Sequence, residues 1–170
     1  MQWKLLSGGF TRYIENMKSL NFVLDTDGVL TDGKFYYTAE GKVMKAFGVH
    51  DHEGLNMLRD DFDISFITGD KQGFEISNQR IAHMGFSLTV VSESERHGYL
   101  SNLGFKRTIF MGDGYSDAPC LRDCILGIAP ANARFEAREA ADFVTPSRGG
   151  EGAVMDACLH ILDRIKYGTL

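Results

Sequence analysis

The chain has 170 residues, of which 44% are apolar and 24% are charged, as in an ordinary globular domain. Its formal net charge of −5 argues against a nucleic-acid partner, because binding a polyphosphate requires a basic face. There is no membrane-length apolar run, no signal-peptide pattern and no framework spacing of the three cysteines, so we expect a cytoplasmic protein without a membrane partner.

Apolar strands and amphipathic helices alternate along the chain. Residues 1–20 carry a weak helical pattern, residues 21–25 (NFVLD) predict a central parallel strand, and residues 31–47 predict a β-hairpin with its turn at Ala39 to Lys42. The pattern then predicts helices at 52–60, 71–85, 94–104, 115–122, 133–141 and 150–166, and strands at 63–68, 87–91, 107–113, 124–129 and 142–145. This order predicts an α/β fold in which residues 1–170 form one domain, with an open, mostly parallel sheet and helices on both faces.

Polar residues follow several of the predicted strands. Asp25 and Asp27 end the first strand, Thr68 and Gly69 end the next, and Asp113 ends the strand at 107–113. Ligands of open α/β sheets bind at the carboxyl ends of the strands, so these residues predict a site at that edge.

The aspartates at this edge predict a metal. Asp25 and Asp27 lie two residues apart in extended chain and face the same side, and Asp113 adds a third carboxylate. Three crowded anions repel one another, and hard oxygen ligands favour Mg²⁺ as the cation that relieves this repulsion. An EF-hand is excluded, because Val29 and Leu30 stand where that loop needs an oxygen ligand and a glycine. Helix capping is the simpler alternative for any one of these acids, but it does not require all three in this order.

Three segments carry a resemblance to a known superfamily. LDTDGVLTDG, FITGD and FMGDGYSD resemble, in order, the aspartate and threonine motifs of the haloacid dehalogenase superfamily. The hairpin segment TDGKFYYTAEGKVMKAFGVHDHEGLNML and the segment SRGGEGAVMDACLHIL resemble its capless branch. That branch includes phosphatases of 3-deoxy-D-manno-octulosonate 8-phosphate (KDO 8-phosphate) and the C-terminal domain of CMP-N-acylneuraminate synthetases. The resemblance implies a Rossmann-like fold with a hairpin flap after the first strand and no cap domain.

The resemblance also implies the chemistry. Asp25 would attack phosphorus as the nucleophile, and Asp27 would act as general acid and then general base. Mg²⁺ would be held by the Asp25 and Asp113 carboxylates and the Asp27 backbone carbonyl, with Asp117 in support. Thr68 and the amide of Gly69, expected before a helix, would bind the phosphate of a small phosphorylated substrate.

The chain departs from that branch at three places. Arg96 stands near the position of the usual lysine, Asp70 replaces an arginine, and Glu151 and Met155 replace C-terminal arginines. Arg96 is therefore predicted to bind phosphate, and Arg148 is the remaining cation placed to meet a distal group of the substrate.

Two hypotheses remain open from the sequence. The three aspartates favour an active phosphatase of a sugar or sugar-acid phosphate, whereas Arg96 and Asp70 favour a catalytically weakened domain with an oligomerisation or regulatory role in a sugar-nucleotide pathway. In either case the resemblance implies a homotetramer formed through the apolar hairpin at residues 33–46.

Overall fold

The computed structural model of the protein describes residues 20–170. The leading helix predicted for residues 1–20 thus falls on residues outside this range, apart from Leu20. The strands are β1 Asn21–Asp25, β2 Tyr36–Thr38, β3 Gly41–Met44, β4 Asp63–Thr68, β5 Ser87–Val90, β6 Thr108–Met111, β7 Leu126–Ala129 and β8 Phe143–Val144. The α-helices are α1 Asp51–Leu58, α2 Phe74–His83, α3 Glu93–Leu103, α4 Ala118–Asp123, α5 Phe135–Ala140 and α6 Ala153–Lys166, with 3₁₀ turns at Phe105–Arg107 and Tyr115–Asp117.

Six strands form one sheet in the order β5-β4-β1-β6-β7-β8, and every pairing in it is parallel. The chain builds outward from β1 to β4 and β5, and then crosses back to place β6 on the other side of β1. The direction of winding therefore reverses between β1 and β6. In a sheet of this kind the crevice for ligands opens at the carboxyl ends of those two strands.

The strands are buried on both faces, as their apolar sequences predict. Phe22 and Leu24 of β1 face one core cluster, with α1, α2 and α6, whereas Val23 faces the other, with α3, α4 and α5. The strands β4, β6 and β7 alternate in the same way, so the sheet is covered by helices on each side.

The predicted hairpin after β1 is present and has its own small sheet. Strands β2 and β3 pair antiparallel around a turn at Ala39 and Glu40, and a bridge between Thr31 and Phe47 closes its base. Within residues 20–170 no inserted domain covers the sheet edge, so this hairpin is the element that lies over it.

The helices begin and end within a few residues of the sequence-based expectation, and two of the differences have a local physical cause. The helix predicted at 115–122 is divided into a 3₁₀ turn and α4, because Pro119 in the first turn of α4 has no N–H to continue a preceding helix. The helix predicted at 71–85 begins only at Phe74, after a turn in which the Asp70 Oδ1 accepts a hydrogen bond from the Gly73 N–H at 3.0 Å. None of the helices in the described range is both long and apolar enough to cross a bilayer.

Candidate active site

Three carboxylates meet at the carboxyl ends of β1 and β6. Asp25 is the last residue of β1, Asp113 lies in the loop after β6, and Asp117 ends the following 3₁₀ turn. One carboxylate oxygen from each lies within 4.8 Å of the others. The pairing of Leu24 with Met111 sets this geometry, because it brings the two strand ends side by side. The predicted clustering of Asp25 and Asp113 is thus present in the structure.

A glycine is required where the loop after β1 passes Asp113. Gly28 has φ +91°, and a Cβ there would lie 2.1 Å from Asp113 Oδ2. Any side chain would therefore displace the Asp113 carboxylate, in addition to straining the backbone. The glycine of the segment DTDG allows the two acidic loops to touch.

Arg96 is the cation of this cluster. It lies in the first turn of α3 and is 3% exposed, with its guanidinium directed at Asp25 (Nη1 to Oδ2 3.0 Å, Nη2 to Oδ1 3.3 Å) and also bonded to Asp117 Oδ1. Its Nε has no hydrogen-bond partner within the described range. Although burial opposes the shift, the two carboxylates raise the pKa of Arg96, so it stays charged. The structure thus places Arg96 where the sequence predicted a cation.

Asp117 is fully buried and connects two parts of the site. Its Oδ1 accepts the hydrogen bond from Arg96, and its Oδ2 accepts one from the Gly114 N–H at 2.8 Å. It therefore orients both the guanidinium and the loop that carries Asp113. This position is compatible with the supporting role predicted for it.

Asp27 does not share the environment of Asp25, although only two residues separate them. Its Oδ1 forms an ion pair with Lys45 Nζ at 2.7 Å, and its Oδ2 accepts a hydrogen bond from Thr68 Oγ1 at 3.2 Å. The Asp27 carboxylate thus lies on the β4 side of the crevice, away from the carboxylate cluster. A metal contact of Asp27 through its backbone carbonyl remains a prediction.

The phosphate cradle predicted at Thr68 and Gly69 needs one correction. Because α2 begins at Phe74, Thr68 and Gly69 do not lie at its N-terminus, and the Thr68 hydroxyl is engaged by Asp27 and by the Asp70 N–H. Gly69 does line the crevice. The helix N-terminus therefore offers no argument for phosphate binding at these two residues, and any contact rests on the position of Gly69.

Asp70 lies at the crevice and belongs to a charge network with two lysines of the hairpin. Its Oδ1 accepts from the Gly73 N–H, and its Oδ2 pairs with Lys42 and, at 2.8 Å, with Lys45. Burial opposes the shift, but the hydrogen bonds from both lysines lower the pKa of Asp70 to about 2. The sequence analysis did not single out either lysine. Two cations on a hairpin expected beside an acidic sheet edge could have predicted ion pairs there.

Asn132 is a second residue that the sequence did not single out. Its Nδ2 donates to the Gly28 carbonyl at 2.9 Å, and its Oδ1 accepts from the Gly149 N–H at 2.6 Å. It thereby ties the loop of Asp27 to the segment before α6. Arg148, in that segment, is exposed and does not line the crevice within this chain.

The crevice has a volume of about 360 Å³ and a strongly acidic lining. Five carboxylates and one cation line it, namely Asp25, Asp27, Asp70, Glu93, Asp113 and Arg96, together with Phe35 of the hairpin and small residues. A larger depression, about 510 Å³, is lined by residues 104–107, Arg122 and Asp123 at the amino end of β6, the opposite edge from the carboxylates. The chemistry-bearing groups therefore converge on the smaller cavity.

Burial and mutual repulsion raise the pKa of two of the clustered acids. Burial raises the pKa of Asp25 well above its usual range against the opposing effect of Arg96, and burial with the charge of Asp117 raises the pKa of Asp113 to about 7. Within the described range Asp113 has no ion-pair partner, since the cationic side chains pair with other acids. The cluster thus lacks one positive charge.

This donor set fits Mg²⁺. Asp25 and Asp113 offer hard carboxylate oxygens close together, and a divalent cation would replace their protons and supply the missing charge. The three cysteines are buried and unpaired, and burial raises the pKa of each thiol, so they do not compete as soft metal ligands.

Known proteins resemble this chain over most of its length. A family model described as haloacid dehalogenase-like hydrolase matches residues 96–157. The KDO 8-phosphate phosphatase KdsC of Haemophilus influenzae is 32% identical over 147 residues, which cover 82% of this chain and 81% of that protein. KdsC of Escherichia coli K12 is 34% identical over 151 residues, covering 85% and 78%.

Solved structures show the same likeness. The cobalt-bound KDO 8-phosphate phosphatase (YrbI) of Haemophilus influenzae has a TM-score of 0.74 and 30% identity, covering 92% of this chain and 93% of its own. The enzyme of Moraxella catarrhalis, in complex with a magnesium ion, a phosphate ion and KDO, has a TM-score of 0.72 and 27% identity, covering 93% and 96%. These likenesses confirm the predicted α/β fold without a cap domain.

The pKa of Asp113 predicts how stability depends on pH. Without a divalent cation, protonation of Asp113 stabilises the folded state fully below its ordinary pKa of 3.8, and this stabilisation is lost as pH rises through about 7. Urea unfolding should therefore show a decreasing free energy of unfolding between about pH 4 and about pH 7. Asp113→Asn should reduce the decline, and Mg²⁺ should stabilise the wild type at the upper pH but not the variant. An undiminished decline in Asp113→Asn would contradict the assignment.

Proposed function

The chain belongs to the haloacid dehalogenase-like hydrolases, among the relatives of the KDO 8-phosphate phosphatases, and from this premise we propose how its residues carry out the reaction. It is a magnesium-dependent phosphatase of a small phosphorylated sugar or sugar acid. The observation that carries this function is the cluster of Asp25, Asp113 and Asp117 oxygens within 4.8 Å at the mouth of one crevice. The comparisons do not favour the alternative of a weakened domain with a regulatory role.

Asp25 is the proposed nucleophile. Its Oδ1 accepts a hydrogen bond from the Thr26 N–H at 2.8 Å, and Arg96 contacts both oxygens, so the carboxylate has a fixed direction. An Asp25 oxygen attacks phosphorus, the bond from phosphorus to the sugar oxygen breaks, and an aspartyl-phosphate forms. The departing alkoxide takes a proton from the carboxyl group of Asp27.

In the second step Asp27 acts as the general base. As a carboxylate it accepts a proton from a water molecule, whose oxygen attacks phosphorus and displaces the Asp25 carboxylate. Inorganic phosphate leaves, and both aspartates return to their starting states. The separate surroundings of the two acids support this division, because Asp27 is held by Lys45 and Thr68 whereas Asp25 lies in the carboxylate cluster.

Asp25 and Asp113 would hold the magnesium ion together with the Asp27 backbone carbonyl, while Asp117 orients Arg96 and the Asp113 loop. The ion supplies positive charge to the nucleophile and the phosphoryl oxygens when it is bound. Arg96 is the proposed phosphate ligand, as the only cation that lines the crevice among residues 20–170, with the Gly69 backbone as a second contact.

The lining of the crevice supports a substrate with little negative charge away from its phosphate. Lys42 and Lys45 are committed to Asp70 and Asp27, and Arg96 to Asp25 and Asp117. A distal carboxylate such as that of KDO 8-phosphate would therefore meet no unpaired cation inside one copy of the described chain. Arg148, exposed in the segment that Asn132 ties to the loop of Asp27, is the proposed cation that meets such a group from outside the crevice.

We also propose a homotetramer in the cytoplasm. Five apolar side chains of the hairpin are 39–58% exposed, namely Phe35, Tyr36, Tyr37, Val43 and Met44. Exposed apolar side chains grouped on one short hairpin support a contact between copies. The buried, unpaired cysteines support a reducing compartment.

The nucleophile can be tested by substitution. Asp25→Asn should abolish magnesium-dependent phosphate release, because an amide does not attack phosphorus at a useful rate, while thermal unfolding shows that the fold persists. Asp27→Asn should also lose turnover, by roughly 10²–10⁴-fold. Phosphate release is measured colorimetrically. Wild-type-like activity in Asp25→Asn would refute the assignment.

Whether Arg96 takes the role of the lysine found in related enzymes can be tested by two substitutions. Arg96→Ala removes the cation from two buried carboxylates and should lower turnover by orders of magnitude, whereas Arg96→Lys keeps a charge and should retain a measurable part. Steady-state rates of the two variants give the comparison. Equal rates for Arg96→Ala and the wild type would show that another cation binds the phosphate.

The substrate preference can be tested with a panel of sugar and sugar-acid phosphates. The ratio kcat/KM should be higher for a neutral sugar phosphate than for KDO 8-phosphate, because a charge-assisted contact worth about 1.5–3 kcal/mol is missing for the carboxylate. Arg148→Ala should raise KM more than it lowers kcat. If KDO 8-phosphate were the best substrate by a wide margin, residues of a neighbouring copy would have to bind its carboxylate.

A further inference from the structure

Lys45 is a fully buried cation that the reaction described above does not use. Its side chain is 0% exposed, and its Nζ lies 2.7 Å from Asp27 Oδ1, 2.8 Å from Asp70 Oδ2 and 2.9 Å from Ser77 Oγ. Lysine is rarely buried unless it is paired, because removing its charge from water is unfavourable. Three oxygen partners around one ammonium group therefore indicate a fixed position.

These contacts close a ring around the Asp27 carboxylate. The Asp70 N–H donates to Thr68 Oγ1 at 3.0 Å, and Thr68 Oγ1 donates to Asp27 Oδ2. Lys45 completes the ring by linking Asp27 Oδ1 to the Asp70 side chain. Each oxygen of Asp27 is thus held from a different element, one from β4 and one from the hairpin.

A comparison with Lys42 shows that the contact between Lys45 and Asp27 is more than an anchor for the hairpin. It lies on the same hairpin, is also buried and also pairs with Asp70, but its Nζ is placed over the ring of Phe35 at 3.5 Å rather than at Asp27. Among the described residues, the ion pair to Asp27 is made by Lys45. Two lysines therefore share the anchoring contact, and one of them contacts the acid.

We propose that Lys45 is a positioning residue for Asp27, with Asp70 as the counter-charge that fixes the ammonium group. This inference rests on the proposed acid–base function of Asp27. When Asp27 gives its proton to the departing alkoxide, the carboxylate that remains lies against Lys45, which stabilises it until it accepts a proton from the attacking water. Lys45 itself neither gains nor loses a proton in either step.

The test compares Lys45→Met with the matched control Lys42→Met on two kinds of leaving group. p-Nitrophenolate leaves without protonation, whereas the alkoxide of the best sugar phosphate in the panel needs the proton of Asp27. Lys45→Met should lower kcat/KM, which reports the steps up to formation of the aspartyl-phosphate, by roughly 10–100-fold for the sugar phosphate and by less than about threefold for p-nitrophenyl phosphate. Lys42→Met should affect both substrates by the same factor.

A double-variant cycle adds a readout that a purely structural role would not change. If Lys45 acts through Asp27, Lys45→Met in the Asp27→Asn background should lower sugar-phosphate turnover by less than about threefold. Thermal unfolding checks each variant, and if Lys45→Met does not fold, Lys45→Gln repeats the comparison, with the same dependence on leaving group expected.

Two results would overturn the inference. One is an equal loss of kcat/KM on both substrates in Lys45→Met, and the other is a full additional loss in the Asp27→Asn background. Failure of the proposed function is distinct, because the wild type would then release no phosphate from either substrate with Mg²⁺.

Discussion

Mutual repulsion among buried carboxylates is the constraint on which the crevice depends. The sheet brings Asp25, Asp27, Asp113 and Asp117 to one edge, and Asp70 lies just after the end of β4 at the same edge. Each charge must be matched locally, because the low-dielectric surroundings do not screen it. Arg96 forms ion pairs with Asp25 and Asp117, and Lys45 forms ion pairs with Asp27 and Asp70. Asp113 has no such partner in the described range, and a divalent cation would supply its counter-charge.

The same requirement explains how a short hairpin lies over the crevice in the absence of a cap domain within the described range. Lys42 and Lys45 draw the hairpin toward Asp70 and Asp27, while Phe35 lines the crevice beside them. The hairpin is therefore held over the crevice by charge, while several of its apolar side chains remain exposed. The same hairpin thus holds the proposed acid Asp27 through Lys45 and carries the side chains of the proposed contact between copies.

Two aspartates that are chemically identical and two residues apart acquire different surroundings from their partners. Burial with nearby acids raises the pKa of Asp25, whereas Asp27 is enclosed by an ammonium group and a hydroxyl. A nucleophile and an acid–base group need such a difference, and it arises from which neighbours each oxygen meets. The end of β1 separates them, since the strand stops at Asp25 and Asp27 lies in the turn that follows, within reach of Thr68 at the end of β4.

The sequence by itself determined the elements and the edge of the sheet that carries the site. Continuous apolar strands bounded by polar turns predicted the parallel sheet, and aspartates directly after β1 and β6 predicted that Asp25 and Asp113 meet, since parallel strands end on one edge. Arg96 was identified through the resemblance, from its place near the usual lysine. These inferences depend on local pattern and on strand order, which the alternation of elements largely fixes.

Only the tertiary structure decided which charges pair. Lys42 and Lys45 are far from Asp70 and Asp27 in sequence, and their contacts depend on how the hairpin folds back. Asp70 looked like an unfavourable anion in the sequence, yet it is the counter-charge of two lysines. Thr68 and Gly69 were expected directly before a helix, yet α2 begins only at Phe74, and the Thr68 hydroxyl donates to Asp27. Ion pairs form through space between segments that are distant in the chain, so the local pattern of apolar and polar residues does not predict them.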